Sequence, residues 1–317
     1  MKVTEHFKNF KKTLFSIEIL PPLKGKSIQS IFNTIDPLME FKPPFIDVTY
    51  HREEFVYKKR EGGYLEKISI RKRPGTVGIC AAIMNHYKVD AVPHIICGGF
   101  SREETENALI DLNFLGIDNV LLLRGDSEKH ESHFTPEPGG HAYALELVEQ
   151  VVNMNVGTFL DDDLKGVEPT KFCIGVAGYP EKHFEAPNLN SDISFLKKKV
   201  DAGAQYIVTQ MFYDNQKYFN FVDKCRKAGI NVPIIPGLKP ISNKKQTAIL
   251  PKTFFIDIPD DLIQEIEKCK SDDAVKQAGI DWAVTQAKEL IKFGVPCLHF
   301  YTMGNPENIR KIASQLF

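Results

Sequence analysis

The stretch that decides the fold reads Asn119-Val120-Leu121-Leu122-Leu123-Arg124-Gly125-Asp126, an apolar run of strand length that ends on residues able to do chemistry. Segments with apolar residues at helical spacing separate it from seven similar runs; two of these segments are Ser101 to Leu115 and Asn215 to Ala228. The seven runs are Thr13 to Leu20, Phe45 to Tyr50, Ala91 to Cys97, Phe172 to Gly178, Tyr206 to Met211, Val232 to Pro236 and Cys297 to Tyr301. This alternation predicts parallel strands joined by right-handed crossovers.

Eight such units in 317 residues match the size of a closed (β/α)8 barrel, the TIM barrel. The main alternative is a doubly wound open sheet, which would need a glycine-rich nucleotide loop after its first strand. The first strand is followed instead by Pro21-Pro22-Leu23-Lys24-Gly25-Lys26. We therefore predict an α/β protein in which residues 1–317 form a single barrel domain with its chemistry at the carboxyl ends of the strands.

Composition limits the classes of partner. Forty basic and 41 acidic side chains give a net charge of −1, which favours neither nucleic acid nor an anionic membrane. No apolar stretch is long enough for a membrane span, and the first six residues lack the apolar core of a signal peptide. The six cysteines include no C-x-x-C pair and the nine histidines no H-E-x-x-H motif. We expect a cytoplasmic protein that acts on a small molecule and holds no metal.

Two segments are long enough to be functional loops. The first, about 51–74, is basic and aromatic, and the second, about 126–140, contains acidic residues, histidines and prolines. For the first segment a subunit contact, a cover over a cofactor and a solvated face all remain open.

Several strand ends carry residues suited to catalysis or to binding. Glu18 is flanked by apolar residues, so burial should raise its pKa towards the range of a general acid, although an ion pair with a nearby lysine or arginine is an equal alternative. The trio Arg124-Gly125-Asp126 suits a phosphate beside a second group that needs a negative charge, but it also fits an ordinary turn. Gln210 can offer a donor and an acceptor to a heterocycle. Together these groups indicate a flat heteroaromatic cofactor and redox chemistry.

Eight fragments, in this order, strongly resemble the methylenetetrahydrofolate reductases, and the match runs from about residue 13 to residue 303. Each fragment alone is weak evidence, whereas eight in the right order are specific. They are Glu18 to Pro22, Val48-Thr49-Tyr50, Pro93-His94, Leu123 to Asp126, Tyr179 to His183, Lys199 to Ala204, Thr209-Gln210 and His299 to Thr302.

The resemblance implies a flavin-containing barrel with ping-pong kinetics. NADH or NADPH would transfer hydride to FAD and leave, and 5,10-methylenetetrahydrofolate would then be reduced to 5-methyltetrahydrofolate, which feeds one-carbon and methionine metabolism. The family also forms dimers or tetramers, so a homo-oligomer is expected. The choice between NADH and NADPH stays open.

Site residues follow from the same resemblance. Glu18 matches the general acid that assists opening of the folate's imidazolidine ring, and Asp126 matches a carboxylate close to both flavin and pterin. Gln210, Gln246 and Tyr301 match substrate-binding positions. The positions that match residues around FAD are Thr49, Tyr50, His94, Arg124, Gly125, Asp126, Ala144, Tyr179, His183, Ala186, Asp192, Lys198 and Lys199.

The chain also departs from the family pattern. Where the family continues its last strand into Leu-Asn-Arg, this chain reads Met303-Gly304-Asn305, so an arginine expected near the folate tail is missing. Arg310 or the basic first segment are candidate replacements. The chain stops at Phe317, so we expect the catalytic domain alone, without a regulatory domain.

Two other functional classes remain open. A barrel aldolase or epimerase without flavin would need a Schiff-base lysine in a strand or a bound metal, and the sequence indicates neither. A noncatalytic flavin-binding or assembly protein would use the segment from His51 to Pro74 as its interaction surface.

Overall fold

The strands of the computed structural model, which describes residues 1–8, 11–127, 131 and 133–317, form a parallel barrel and one separate hairpin. The barrel order is β10-β11-β1-β2-β5-β6-β7-β8-β9, and every neighbouring pair is parallel. The strands are β1 (Leu14–Ile19), β2 (Phe45–Val48), β3 (Glu54–Lys59), β4 (Leu65–Ile70), β5 (Asp90–Ile96), β6 (Asn119–Leu123), β7 (Cys173–Gly178), β8 (Tyr206–Thr209), β9 (Ile234–Ile235), β10 (Gly237–Leu238) and β11 (Cys297–Tyr301). The prediction of an α/β barrel is confirmed.

The barrel closes through a strand that Pro236 interrupts. On one side of the proline β9 pairs with β8, and on the other side β10 pairs with β11. Proline has no backbone N–H to donate, but its carbonyl oxygen accepts a hydrogen bond from the amide of His299 (3.1 Å). The two short strands therefore fill one position, and the barrel has eight positions, as the sequence predicts.

Helices surround the barrel and cover its outer face. The α-helices are α1 (Val3–His6), α2 (Gln29–Ile35), α3 (Thr76–Tyr87), α4 (Arg102–Phe114), α5 (Ala144–Asn155), α6 (Leu189–Ala202), α7 (Asn215–Lys227), α8 (Gln246–Phe254), α9 (Asp260–Lys268), α10 (Asp272–Phe293) and α11 (Pro306–Ala313), and a 3-10 helix spans Asp36–Phe41. The sequence sets several helix ends: Ser101 and Glu104 form a reciprocal capping box at the start of α4. Gly294 ends α10 with a positive φ of 91° that favours glycine.

Two apolar layers follow from the alternation of side chains along each strand. Outward-facing residues such as Phe15, Ile17 and Ile19 pack against the helices in the main core. Inward-facing residues fill the barrel, among them Leu14, Phe45, Val92, Leu121, Cys173, Tyr206, Val208, Ile235 and Cys297, with Val3 and Phe7 from the amino-terminal segment. The amide of Val3 donates to Asn119, the first residue of β6 (2.8 Å), so this segment closes the amino-terminal end of the barrel. The other end, where the carboxyl ends of the strands lie, is therefore the end from which we expect a ligand to approach.

Residues 51–74 are not the continuous loop that the sequence suggested, because β3 and β4 pair there as an antiparallel hairpin. Gly62 and Gly63 both have positive φ in its turn, a conformation that glycine adopts without strain. The hairpin was missed because both of its faces are largely solvent-exposed, so the apolar alternation that marks a half-buried strand is weak. In the second predicted loop, 126–140, residues 128–130 and 132 lie outside the described part of the chain; its other residues form no helix or strand.

None of the helices in the described ranges is long and apolar enough to cross a membrane.

Candidate active site

Glu18 lies at the carboxyl end of β1 and points into the mouth of the barrel. Parallel pairing places it opposite Asp47 of β2 on one side and Tyr301 of β11 on the other. His94 of β5 lies between the two acids: its Nε2 is 3.6 Å from Oε2 of Glu18 and 3.5 Å from Oδ2 of Asp47. The side chain of Glu18 is 13% exposed and that of Asp47 is fully buried, so Glu18 is the acid that a ligand in the mouth can reach.

Burial shifts the protonation of all three groups. It raises the pKa of Glu18 to about 7; His94 opposes this shift and the charge of Asp47 adds to it. It also raises the pKa of Asp47 to about 7, against the influence of His299. The pKa of His94 is lowered by the same loss of hydration. Glu18 is therefore a largely buried acid, and the ion-pair partner that the structure gives it among the described residues is His94 rather than a lysine or an arginine; its role as a general acid stays a prediction.

A second layer of polar groups lies below Glu18 in the barrel interior. Ser16 hydrogen-bonds Nδ1 of His299 (2.8 Å) and lies 3.2 Å from Sγ of Cys297. Within the described part of the chain, neither oxygen of Asp47 has a hydrogen-bond partner, and the same is true of Nε2 of His94 and Nε2 of His299. Buried polar atoms without partners carry a free-energy cost, so a cluster of four indicates a function.

Tyr301 connects Glu18 to the end of β8. Its hydroxyl donates a hydrogen bond to the carbonyl oxygen of Thr209 (2.6 Å), next to Gln210. The amide of Gln210 donates to the carbonyl of Gly178 (2.8 Å), which directly precedes Tyr179. Glu18, Tyr301 and Gln210 thus lie along one edge of the mouth, although they are far apart in the sequence.

Asp126 lies on the same rim, after β6. It is exposed, and it is close enough to His51 and Tyr179 for its charge to influence the pKa of both. Burial raises the pKa of the Tyr301 phenol, and Glu18, Asp47 and Tyr179 add to this shift, so Tyr179 lies near Tyr301. The structure therefore brings Glu18, Asp126 and Gln210 to one end of the barrel.

Cations and their partners occupy the rim beyond Asp126. Arg124 forms a bidentate ion pair with Glu185 (2.6 and 2.9 Å). Lys199 of α6 is partly buried and donates to the carbonyl of Ala177 (3.2 Å); burial lowers its pKa to about 8, while Asp192 opposes that shift. Asp192 also accepts a hydrogen bond from the amide of His183 (2.9 Å). Arg124 after β6 and Lys199 beside the end of β7 are two neighbouring cations, which is a suitable arrangement for a diphosphate.

The other residues predicted to bind the cofactor lie partly on this rim and partly away from it, as their contacts show. Thr49 donates to the carbonyl of Ile19 beside Glu18 (3.3 Å), and the ring of Tyr50 packs on Phe100 (5.0 Å between centroids). The aromatic rings of Tyr179 and His183 are in edge contact at 4.9 Å. Ala144 is the first residue of α5, shortly after the end of the second predicted loop, 126–140. The carbonyl of Ala186 accepts from Lys182 (3.0 Å).

Lys198, Gln246 and Arg310 are not joined to Glu18 by the contacts that the structure shows. Lys198 is exposed and lies over the ring of Phe195 at 5.2 Å. Gln246, at the start of α8, accepts a hydrogen bond from the amide of Ser242 (2.7 Å). Arg310 pairs with Glu40 (2.6 Å) on the outer surface, so it does not replace the arginine missing at Asn305.

A cavity of about 1060 Å³ opens beside Tyr50 rather than over Glu18. The hairpin lines it through Phe55 and Ser69, and the loop before α4 lines it through Gly99 and Phe100. Arg71, which follows the hairpin, hydrogen-bonds the Tyr50 phenol. The basic first segment thus reaches the rim at Tyr50, and its role as a subunit contact or a cofactor cover stays open.

Asp47 is the functional residue that sequence reasoning missed. It lies inside a short strand, Phe45–Val48, that is otherwise apolar and fully buried. A carboxylate in the middle of such a run is unusual and was the available signal, because charged residues are almost never fully buried without a partner. Only closure of the barrel shows that it faces Glu18 and His94.

Comparisons with known proteins identify the relatives of this chain. The family model described as methylenetetrahydrofolate reductase matches residues 2–317. Methylenetetrahydrofolate reductase (NADH) 1 of Arabidopsis thaliana is 35% identical over 317 residues, which cover 96% of this chain and 49% of the plant protein. The 5,10-methylenetetrahydrofolate reductase of Escherichia coli is 33% identical over 293 residues, covering 92% of this chain and 86% of that protein.

Among solved structures, a protein from Clostridium thermocellum described as binding two copies of 5-methyl-5,6,7,8-tetrahydrofolic acid has a TM-score of 0.60. The match covers 99% of this chain and 98% of that chain, and at 16% identity it shows the fold alone. This chain spans about half the length of the plant and fission yeast relatives. The family model covers nearly every residue, and the plant relative exceeds 30% identity. The chain therefore belongs to the methylenetetrahydrofolate reductase family.

Proposed function

We propose that this chain reduces 5,10-methylenetetrahydrofolate to 5-methyltetrahydrofolate, with FAD as its cofactor, NADH or NADPH as the reductant, and ping-pong kinetics. The observation that carries the proposal is the buried carboxyl of Glu18 at the barrel mouth, in a chain of this family. The names of the relatives include both coenzymes, NADH for the Arabidopsis protein and NADPH for a Caenorhabditis elegans protein, so the choice of coenzyme stays open. The product would supply methyl groups for methionine synthesis.

The residues on the rim fit FAD. Lys199 and Arg124 would hold its diphosphate, and Tyr179 and His183 present aromatic surface beside them. Gly125 has a φ of +84°, and a β-carbon there would lie 3.2 Å from Ile96, so the turn that joins Arg124 to Asp126 favours glycine at this point. Bound FAD would carry an electron pair from the nicotinamide coenzyme to the folate.

Arg124 must change partner for this role. Its guanidinium is engaged by Glu185 on both sides of the fork, and that pair is partly exposed. Exposed ion pairs contribute only about 0–1 kcal/mol, so a diphosphate with two negative charges competes successfully with one carboxylate. Glu185 would then pair with Arg124 when no cofactor is bound and so hold the guanidinium on the rim.

Glu18 would supply the proton that folate reduction consumes. With a pKa of about 7, a large fraction of Glu18 carries a proton at neutral pH. Its proton would go to the amine nitrogen that leaves when the five-membered folate ring opens, and the methylene carbon then becomes an electrophilic iminium. The carbonyl of Glu18 accepts hydrogen bonds from both the amide (3.1 Å) and the hydroxyl (2.8 Å) of Thr302, which fixes the backbone from which the acid acts.

Asp126 and Gln210 would orient the pterin. The negative charge of Asp126 on the rim favours cationic forms of the folate, and the carboxamide of Gln210 can read one donor and one acceptor. The hydroxyl of Tyr301 keeps the edge between Glu18 and Gln210 closed by its bond to Thr209. A cytoplasmic location and assembly into a dimer or tetramer remain predictions, and sedimentation measures the second.

The proposal is tested by colour and by separate half-reactions. Protein loaded with FAD should be yellow, bleach without oxygen when NADH or NADPH is added, and recover its colour with methylenetetrahydrofolate. Glu18→Gln should bleach at nearly the normal rate but recover at least ~100-fold more slowly, because only folate reduction needs the acid. Glu149→Gln, at an exposed position of α5, is the matched control and should behave as the unchanged protein.

Protein that binds no FAD, or that bleaches but never recovers with the folate, contradicts the proposed function. Equal slowing of both half-reactions in Glu18→Gln would instead remove the acid role from Glu18.

A further inference from the structure

The proposed function uses Glu18 but leaves Asp47 without a task. Asp47 is fully buried, and both of its oxygens lack hydrogen-bond partners in the part of the chain that the structure describes. A buried carboxyl in this state is costly, and an apolar residue would fill an otherwise apolar strand without that cost. His94 links Asp47 to Glu18, because its Nε2 is almost equally far from the two acids (3.5 and 3.6 Å).

We propose that Asp47 is a positioning residue which, through His94, holds Glu18 in its protonated form so that it can act as an acid. This inference rests on the proposed function, since it assigns a partner to the proton donor of that reaction. Asp47 itself lies below the mouth and does not contact substrate.

Asp47 has titratable neighbours from every element packed around it. They are Glu18 of β1, His94 of β5, Cys297, His299 and Tyr301 of β11, Tyr206 of β8 and Cys80 of α3. Burial raises the pKa of both thiols and both phenols, so these four are uncharged near neutral pH. Charge can therefore move only among the two carboxyls and the two histidines.

The position of the histidines decides which carboxyl ionises. Asp47 has His94 within 3.5 Å and is also influenced by the charge of His299, whereas the one histidine whose charge acts on Glu18 is His94. A negative charge is therefore best placed on Asp47, between the two imidazoles. A second negative charge on Glu18 would repel the first one across a water-poor interior, so Glu18 keeps its proton.

Removing the carboxylate reverses this arrangement. In Asp47→Asn the like charge is lost, and His94 is left with Glu18 as its one acidic neighbour among the described residues. Both changes favour the ionised form of Glu18. The shape of the side chain is nearly unchanged, so the variant alters charge with little change in packing.

The first test follows the rate of colour recovery with methylenetetrahydrofolate from about pH 6 to about pH 9, a range that spans the pKa of Glu18. The rate should fall as pH rises, because a smaller fraction of Glu18 is protonated. In Asp47→Asn this fall should move down by about one pH unit, which is a loss of about tenfold on the alkaline side. Bleaching by NADH or NADPH should change less than about twofold.

Two further variants separate charge from packing. Leu121→Val alters another inward-facing residue without altering charge and should keep the pH profile of the unchanged protein. Asp47→Ser provides a second neutral side chain if the asparagine variant does not fold. A profile that stays in place in a folded, FAD-binding Asp47→Asn or Asp47→Ser protein overturns the inference.

The second readout does not depend on turnover. Infrared difference spectra of the FAD-loaded protein, without folate, report the carbonyl band of protonated carboxyl groups as pH changes. The band that is absent from Glu18→Gln belongs to Glu18, and in Asp47→Asn it should disappear at lower pH. If folate is not the acceptor but this band shifts, the proposed function fails and the coupling stands; if folate is reduced and the band does not shift, the coupling fails alone.

Discussion

Replacing Glu18 by glutamine should remove a pH-dependent loss of stability. In the unfolded chain the carboxyl titrates near its ordinary value of 4.5, whereas burial raises its pKa to about 7 in the folded protein. Below both values the carboxyl is protonated in the folded and in the unfolded state, so Glu18 does not change the free energy of unfolding. As pH rises from the unfolded value to the folded value, unfolding releases that proton, and the free energy of unfolding falls.

The size of the effect follows from the difference between the two pKa values. At about 1.4 kcal/mol for each pH unit, Glu18 should lower the free energy of unfolding by about 3 kcal/mol between pH 4.5 and pH 7. Glutamine never ionises, so Glu18→Gln should gain about this much relative to the unchanged protein as pH rises. Asp47 is present in both proteins, so the comparison measures the effect of replacing Glu18.

Urea unfolding, followed by far-ultraviolet circular dichroism at a series of pH values, measures this difference. Both proteins must carry the same amount of FAD, because a bound ligand adds its own stabilisation. Glu149→Gln serves as the exposed control and should follow the unchanged protein at every pH. A constant separation between the Glu18→Gln curve and the unchanged protein would refute the argument that Glu18 loses hydration on folding.

Two further predictions concern the rim and the barrel interior. Lys199→Met should weaken FAD binding at least about tenfold in fluorescence titration, because a partly buried cation beside the strand ends is lost. Lys197→Met, which breaks only an ion pair with Asp201, should leave FAD binding within about twofold; equal effects would place the diphosphate elsewhere. Gly175→Ala should lower the free energy of unfolding, measured in urea, by about 2 kcal/mol, because its β-carbon would lie 2.2 Å from the buried ring of Tyr206. An unchanged midpoint of urea unfolding would mean that the barrel interior accommodates the extra methyl group without strain.

Most of the barrel could be predicted because each parallel strand is buried on both faces and reads as an unbroken apolar run. The strand predicted over Val232 to Pro236 shows the limit of that signal. In the structure β9 is only Ile234–Ile235, and the strand resumes after Pro236 as Gly237–Leu238. A proline and a glycine both argue against a strand in a single sequence, yet the position that they occupy closes the barrel.

The site was predicted only where the motif itself fixes the direction of a side chain. Lys198 and Lys199 are neighbours in the sequence, but successive helical residues point about 100° apart, and only Lys199 turns inward to the strand ends. Arg310 was a reasonable replacement for an arginine at position 305, but its partner Glu40 comes from a distant helix and holds it outside. Such choices depend on tertiary contacts that spacing does not reveal.

The interruption at Pro236 leaves one seam in an otherwise continuous ring of hydrogen bonds. At this seam the wall consists of two two-residue ladders, so fewer bonds must break there than at any five-residue or six-residue strand. Amide protons beside the seam should therefore exchange with solvent at a lower free-energy cost than those of β1 or β6. Local opening at Pro236 would leave the pairing of β1, β2 and β5, which carry Glu18, Asp47 and His94, in register.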